Sequence, residues 1–213
     1  MDIVLFGIQG SGKGTIARAV SEKFGFHYFE TGAELRKLSQ ENSPLGHKVK
    51  EIIEAGKLVP NDIVMEIIEH FMETVPANES AIFDGIPRKQ FQAETFDALM
   101  KKLGRSYIGI LVHVPEDIAL KRLTLRRICE SCKAVYPADY DRSSCEKCSG
   151  ELVTRSDDNP ESIKTRFAAY FEETMPVIEG YKARNMLLTI DGIPRIPEVR
   201  DATFRLIEEK LLK

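Results

Sequence analysis

A glycine-rich loop near the start of the chain carries the first residues whose types and spacing indicate chemistry. Residues 7–15 have the sequence Gly-Ile-Gln-Gly-Ser-Gly-Lys-Gly-Thr, between an apolar run at 3–6 and a helical pattern at 12–24. The backbone N–H groups of such a loop and the N-terminus of the helix favour an anion, and Lys13 adds a positive charge for the β and γ phosphates of a nucleoside triphosphate. The predicted triphosphate-binding residues are Gly10, Ser11, Gly12, Lys13, Gly14 and Thr15.

Four cysteines form two close pairs, Cys129 with Cys132 and Cys145 with Cys148, and twelve residues separate the pairs. Two Cys-x-x-Cys hooks suit four thiolates around tetrahedral Zn²⁺, although another thiolate-bound metal, disulfides or free thiols are alternatives. Because all four thiols would be used, no coordination position stays open for catalysis. We therefore expect a structural zinc, which would stabilise a segment with few apolar residues.

Several arginines and one aspartate have positions that suggest phosphate and metal binding. Arg122 and Arg126 lie four residues apart on a helix predicted at 116–127, so they are expected to share a face and to point at one triphosphate. Solvated surface ion pairs are the alternative for any single arginine. Asp84 ends a predicted strand beside the loop, where it could hold Mg²⁺ through water, cap the turn at Gly85, or do both.

The elements that must position these residues alternate along the chain. Apolar runs at 3–6, 81–83, 108–114 and 186–190 are each followed by a helical pattern, at 12–24, 90–103, 116–127 and 197–212. This alternation predicts an α/β fold in which a doubly wound parallel sheet has ligands at the carboxyl ends of its strands. Residues 30–59 and 128–159 interrupt the alternation and are predicted to be insertions.

Composition limits the classes of function. The chain has 213 residues, a formal net charge of −3, 43% hydrophobic and 30% charged residues, which is typical of a soluble enzyme and not of a protein that coats nucleic acid. No apolar run approaches the ~20 residues of a membrane helix, and no leader pattern precedes the first strand. We expect a cytoplasmic protein without a nucleic-acid or membrane partner, in which any basic site is local.

The loop and four further blocks, in order along essentially the whole chain, resemble the adenylate kinase family of nucleoside monophosphate kinases. In the loop, Gly14 separates Lys13 from Thr15, whereas the generic pattern has Ser or Thr directly after the lysine. The further blocks are Thr31-Gly32-Ala33-Glu34-Leu35-Arg36 with Gly56-Lys57-Leu58-Val59, Asp84-Gly85-Ile86-Pro87-Arg88 with Gln92, Arg122 with Arg126 and Arg127, and Arg155-Ser156-Asp157-Asp158 with Arg166.

The resemblance implies a reversible, Mg²⁺-dependent transfer of a phosphoryl group from ATP to AMP, giving two ADP, by a monomer. It implies a P-loop core at 1–29, 60–121 and 160–213, an AMP-binding domain at 30–59, and a lid at 122–159 that carries zinc in some bacterial members. The implied catalytic residues are Lys13, Arg88, Arg122, Arg126, Arg155 and Arg166. Those implied for ATP, besides the loop, are Arg122, Arg126, Val135, Tyr136 and Pro194. Those implied for AMP are Thr31, Gly32, Arg36, Lys57, Leu58, Val59, Gly85, Ile86, Pro87, Arg88, Gln92, Arg155 and Arg166.

The chain departs from the family pattern at two positions: Gln9 stands where proline is usual, and Leu125 stands where glycine is frequent. Two other functions remain as alternatives. A UMP/CMP kinase would differ only in the acceptor pocket, where Gln92 favours adenine. An ATP-dependent nucleic-acid-binding protein with a zinc module is disfavoured, because four acidic residues outnumber three basic ones between Cys129 and Cys148.

Overall fold

Five parallel strands form the main sheet of the chain, which is described by a computed structural model for residues 1–137 and 140–211. The order across the sheet is β2-β3-β1-β4-β8, with β1 at the centre. These strands are β1 Asp2–Phe6, β2 His27–Glu30, β3 Ala81–Asp84, β4 Tyr107–His113 and β8 Leu187–Asp191. The predicted α/β class with a parallel, doubly wound sheet is confirmed.

Helices connect these strands and cover both faces of the sheet. The helices are α1 Lys13–Phe24, α2 Thr31–Leu38, α3 Pro44–Glu54, α4 Asn61–Thr74, α5 Gln90–Lys102, α6 Glu116–Leu125, α7 Pro160–Ala169, α8 Met175–Ala183 and α9 Ile196–Lys210. A π-helical turn, Tyr170–Thr174, joins α7 to α8. No helix within the described ranges has both the length and the apolar character needed to cross a bilayer.

The core consists of two apolar layers, one on each face of the main sheet. All five residues of β1 are buried, as expected for a strand covered on both sides. Because successive side chains point to opposite faces, Val4 and Phe6 join the layer under α4, α5 and α8. Ile3 and Leu5 join the layer under α1 and α9. This two-sided burial fixes the carboxyl end of β1, from which the glycine-rich loop extends.

A second, smaller sheet lies between α6 and α7. It has the order β6-β5-β7 and is antiparallel, and its strands are β5 Arg127–Cys129, β6 Val135–Tyr136 and β7 Leu152–Val153. Among the described residues of this segment, its buried apolar cluster consists of Cys129, Tyr136 and Cys145. Such a cluster is too small to stabilise the segment by apolar burial alone, which agrees with the expected need for a metal.

The prediction that Arg122 and Arg126 share a helix face is wrong. Helix α6 ends at Leu125, and Arg126 has the extended backbone angles φ −66° and ψ 135°. The helix predicted at 116–127 is therefore two residues too long. The chain leaves the helix at Arg126 and continues into β5, and the Arg126 side chain pairs with the distant Asp158.

Other elements were not predicted from sequence. Strand β2 has four residues with only Phe29 buried, so its apolar signal is weak. Helices α4, α7 and α8 were likewise missed. The last helix was predicted at 197–212 and is found at Ile196–Lys210, and Leu212 lies outside the described residues.

Candidate active site

A cleft of about 650 Å³ opens at the carboxyl ends of β1 and β3 and extends to the small sheet. Ten basic and three acidic side chains line it, although the whole chain has a net charge of −3. The predicted basic site is therefore local. The structure brings these predicted site residues to the cleft: Gly10, Ser11, Gly12, Lys13, Gly14, Thr15, Thr31, Gly32, Arg36, Lys57, Leu58, Val59, Asp84, Gly85, Arg88, Gln92, Arg122, Arg126, Val135, Tyr136, Arg155, Arg166 and Pro194.

Two predicted residues lie behind the cleft. Ile86 and Pro87 line an adjacent cavity of about 40 Å³, and the Ile86 side chain belongs to the apolar core. Neither residue lines the main cleft, so the shape of the cleft does not support their predicted contact with AMP.

The loop between β1 and α1 has the geometry of an anion-binding site. Gly10 has φ +89°, and a Cβ there would lie 2.5 Å from the carbonyl oxygen of Ala119, so the position requires glycine. Helix α1 begins at Lys13 with Gly12 as its N-cap, and no side chain caps it. The free N–H groups of this helix end therefore face the cleft and favour phosphate.

Lys13 is the cation at the centre of this loop. Its Nζ donates to the carbonyl oxygens of Gly7 at 2.6 Å and Ile8 at 3.1 Å. Burial lowers the pKa of Lys13 from 10.5 to about 8, against the opposing effect of the Asp84 carboxylate. The ammonium group is thus poorly solvated, and an anion in the cleft would stabilise its charged form.

Asp84 lies at the end of β3, in register with Leu5 of the neighbouring β1. Burial raises the pKa of Asp84, and the Lys13 charge partly counteracts this effect. A divalent cation would favour the ionised carboxylate, and oxygen ligands suit Mg²⁺. The buried carboxylate beside the loop therefore fits the magnesium ion expected from the sequence.

The sequence did not indicate an acidic residue that organises the part of the cleft formed by α1 and α2. Glu30, at the end of β2, accepts hydrogen bonds from Arg18 at 2.6 Å, Arg36 at 2.9 Å and the hydroxyl of Tyr28 at 3.0 Å. Burial by itself would raise the pKa of Glu30, but the charges of Arg18 and Arg36 hold it below its ordinary value. Its position directly before Thr31-Gly32 was the only signal in the sequence.

Three arginines that line the cleft share two buried carboxylates, Asp157 and Asp158. Arg126 binds Asp158 through two hydrogen bonds of 2.7 and 2.9 Å, and Arg155 binds Asp157 in the same way. Arg166 contacts both carboxylates, at 2.8 and 3.3 Å. Burial alone would raise the pKa of Asp157, but the Arg155 and Arg166 charges lower it overall. One guanidinium charge of the three stays uncompensated within this group, which suits an anionic ligand.

The backbone of Arg88 is held from both sides. Its N–H donates to Oε1 of Gln92 at 2.8 Å, and its carbonyl oxygen accepts from the hydroxyl of Thr174 at 3.0 Å. Its Nε donates to the carbonyl oxygen of Gly85 at 2.7 Å. Thr174 was not predicted, because it is 86 residues away along the chain. Gln92 keeps its amide N–H groups for another partner in the cleft.

Arg122 is anchored to the loop after β8. Its guanidinium donates to the carbonyl oxygens of Gly192 at 2.8 Å and Ile193 at 3.0 Å. Pro194 follows directly in this loop and lines the cleft beside the glycine-rich loop.

Buried polar atoms without a partner gather at the cleft. Within residues 1–137 and 140–211 these are Oε1 of Gln9, Oγ of Ser11, Oγ1 of Thr31 and Oδ1 of Asn61, and the first three belong to residues that line the cleft. An unmade hydrogen bond of this kind costs about 1–3 kcal/mol. Their concentration at one place indicates that a polar ligand supplies the partners.

The four cysteines meet in the small sheet, and their sulfur atoms all lie within 4.8 Å of one another. The pairs Cys129–Cys148 and Cys132–Cys145 are each 3.4 Å apart, well beyond an S–S bond of about 2.05 Å. Tetrahedral zinc with bonds of about 2.3 Å places its sulfurs roughly 3.8 Å apart. The cluster therefore could bind one zinc ion with all four thiolates.

Tyr136 supports this cluster from within. Its hydroxyl lies 3.0 Å from Sγ of Cys145 and accepts from the Glu146 N–H at 3.1 Å. Its side chain is buried in the small sheet, so a contact of this residue with ATP would have to use its backbone or its edge.

Comparisons with known proteins agree with this geometry. Residues 5–186 match the family model described as adenylate kinase. The chain is similar to proteins named adenylate kinase from Archaeoglobus fulgidus, at 37% identity over 93% of this chain and 94% of the relative. It is also similar to those from Kosmotoga olearia, at 36% over 98% and 99%, and Clostridium tetani, at 36% over 93% and 94%. With its loop, arginines and four-cysteine sheet arranged around one cleft, the chain belongs to the adenylate kinase family.

Proposed function

We propose that this chain catalyses the reversible transfer of the γ phosphoryl group of MgATP to AMP, giving two molecules of ADP. The observation that carries the proposal is a single cleft that joins a phosphate-binding loop to eight arginines. Two phosphorylated substrates can therefore approach each other in one positively charged site. A kinase of this kind interconverts the adenine nucleotides of the cell.

The donor side of the proposal uses the loop and its surroundings. Backbone N–H groups of residues 10–15 and the start of α1 bind the triphosphate, and Lys13 compensates the charge of its β and γ phosphates. Arg122 and Arg126 approach the same phosphates. We assign the adenine of ATP to the backbone carbonyl of Pro194 and the edge of the small sheet at Val135 and Tyr136.

The acceptor side uses α2, the end of α3 and the segment after β3. Thr31, with its buried unpartnered hydroxyl, Arg36 and Arg88 face the space we assign to the AMP phosphate and ribose. The free amide N–H groups of Gln92 suit a ring nitrogen acceptor of adenine. Gly32, Lys57, Leu58, Val59 and Gly85 complete this wall.

Catalysis in this proposal is positioning and electrostatic stabilisation, without a covalent enzyme intermediate. An oxygen of the AMP phosphate attacks the γ phosphorus, and the bond to the β–γ bridging oxygen breaks, with its electron pair leaving on ADP. Lys13, Arg88, Arg122, Arg126, Arg155 and Arg166 stabilise the charge of the phosphoryl oxygens. Asp84 would hold the magnesium ion, through water, and that ion would supply positive charge to compensate the donor phosphates.

We infer further that one chain suffices and that the protein works in a reducing compartment such as the cytoplasm. Both sides of the cleft come from the same chain. The four cysteines are free thiols grouped as metal ligands, an arrangement suited to reducing conditions. We propose that the protein acts on nucleotides without a nucleic-acid or membrane partner.

A steady-state assay tests the proposal. Purified protein with MgATP and either AMP, GMP, CMP or UMP is expected to form ADP rapidly with AMP and at least about 100-fold more slowly with the others, because unpaired polar groups in a base pocket reject the wrong base. Metal analysis of the same sample should give one zinc per chain. Absence of ADP formation, or preference for UMP or CMP, would refute the assignment to AMP.

A further inference from the structure

Gln9, the third residue of the glycine-rich loop, has no role in the mechanism above. It lines both the main cleft and the 40 Å³ cavity behind it. The other residues that line both are Lys13, Gly85 and Arg88. Gln9 therefore lies on the side of the donor-phosphate loop that faces the segment carrying Arg88.

The Gln9 side chain also has an unsatisfied hydrogen-bond acceptor. Its Oε1 is buried and has no hydrogen-bond partner in the part of the chain that the structure describes. A leucine of similar size would fill the same space without an unmade hydrogen bond, so packing alone favours an apolar residue here. Unsatisfied polar groups are retained mainly where function uses them.

We propose that Gln9 is a catalytic residue whose amide Nε2 donates a hydrogen bond to an equatorial oxygen of the phosphoryl group during transfer. An amide offers two N–H donors and carries no charge, so it adds a directed contact without changing the charge balance of the site. Oε1 would meanwhile remain free to accept a hydrogen bond from a bound water. This inference rests on the proposed function, in which the P–O bond to AMP forms as the P–O bond to ADP breaks.

The variant Gln9→Leu tests the proposal, because the proposal predicts that kcat falls while the melting temperature stays equal or rises. We expect kcat to fall about 10- to 100-fold, as for loss of one donor to a transition-state oxygen, with KM values for ATP and AMP changed less than about threefold. The melting temperature should stay equal or rise, because the unpartnered oxygen is removed. Gln9→Glu should reduce kcat further than Gln9→Leu, because a carboxylate would face the phosphates.

Gln90→Leu is the matched control, since Gln90 is exposed at the start of α5 and bonds only to Glu94. It should change neither kcat nor melting temperature. A kcat of Gln9→Leu within twofold of the parent would overturn the role of Gln9. So would a joint fall in kcat and melting temperature, or a Gln9→Glu variant as active as Gln9→Leu. Parent protein that forms no ADP from MgATP and AMP would instead overturn the proposed function and this inference with it.

Discussion

Lys13 must satisfy two opposing conditions at the scale of a single residue. It is held against the carbonyl oxygens of Gly7 and Ile8, where burial brings its pKa down to about 8. Yet the proposed mechanism needs it charged, because only the ammonium form attracts phosphate. The free protein therefore loses this charge as the pH rises above about 8, whereas an ordinary lysine would keep it until about 10.5.

Binding of MgATP should accordingly weaken in mildly alkaline solution. Below the pKa of about 8 the affinity should be nearly constant, and above it the dissociation constant should rise by up to about tenfold per pH unit, because binding then requires uptake of one proton. Calorimetric titration with MgATP between pH 7 and 9.5 measures this dependence. Lys13→Arg, whose side chain stays charged throughout, should show a flatter profile, and an equally flat parent profile would contradict the argument.

How far sequence anticipates a site residue depends on whether its partners are close in the chain. The glycine-rich loop and the cysteine hooks are short sequence motifs whose chemistry depends on their own residues. Both can therefore be predicted from the sequence alone. Thr174 is not predictable in this way, since only the fold brings it to Arg88, 86 residues away. Glu30 is not, because its partners Arg18 and Arg36 lie on two different helices and no local motif links the three. Arg126 was placed on the wrong element, because its ion pair with Asp158, 32 residues away, has no counterpart in helical periodicity.

At the scale of elements, the π-helical turn Tyr170–Thr174 has a specific effect. Such turns form well under 1% of structure and often occur at functional sites. Here the last residue of the turn, Thr174, is buried and donates to the Arg88 carbonyl. The widened turn thus connects the α7–α8 unit to the segment that presents Arg88 to the cleft.

Thr174→Val should disturb Arg88 without changing the shape of the buried side chain. Loss of the hydroxyl leaves the Arg88 carbonyl without this donor, so we expect stability to fall by about 1–3 kcal/mol. The KM for AMP should rise several-fold while the KM for MgATP stays nearly constant. Thr174→Ser should restore AMP binding. Thr165→Val, an exposed helical position whose hydroxyl bonds within its own helix, serves as control, and equal effects of the two valine variants would exclude a positioning role.

The elements that sequence predicted are those with strong burial. Strand β1 is buried at every position, and β4 contains an apolar run, so their patterns were unambiguous. Strand β2 has polar His27 and Glu30 at its ends, and its extended shape is imposed by pairing with β3. Short strands of this kind depend on tertiary contacts that no local pattern contains.

At the scale of the whole molecule, two cooperative units of unequal stability are expected. The main sheet has two large apolar layers, whereas the described part of the small-sheet segment buries a three-residue cluster around its cysteines. The domain division predicted from the sequence, with a lid at 122–159, stays a prediction. Its physical basis is the expectation that the small sheet, unlike the main sheet, requires a bound metal for stability.

The variant Cys129→Ser should separate the thermal unfolding of the small sheet from that of the main sheet. Loss of one of four thiolates should abolish stable zinc binding and produce an early thermal transition, while the main transition changes little. Differential scanning calorimetry and metal content measure both effects, and ADP formation well below the first transition should remain. Ser143→Ala, an exposed change in the same segment, should have no effect. Equal zinc content and melting behaviour in Cys129→Ser and the parent would contradict a structural metal.

The uneven distribution of charge also affects how quickly the molecule meets its substrates. The cleft has ten basic and three acidic side chains, yet the chain as a whole has a net charge of −3, so the remaining surface is distinctly acidic. A nucleotide anion that diffuses toward the protein is therefore repelled over most approaches and attracted over one. Such a field raises the rate of productive encounter and fades as salt screens it. Capture of nucleotides by this chain should thus be fastest in dilute electrolyte, with the outer surface contributing to the rate although it never touches the substrate.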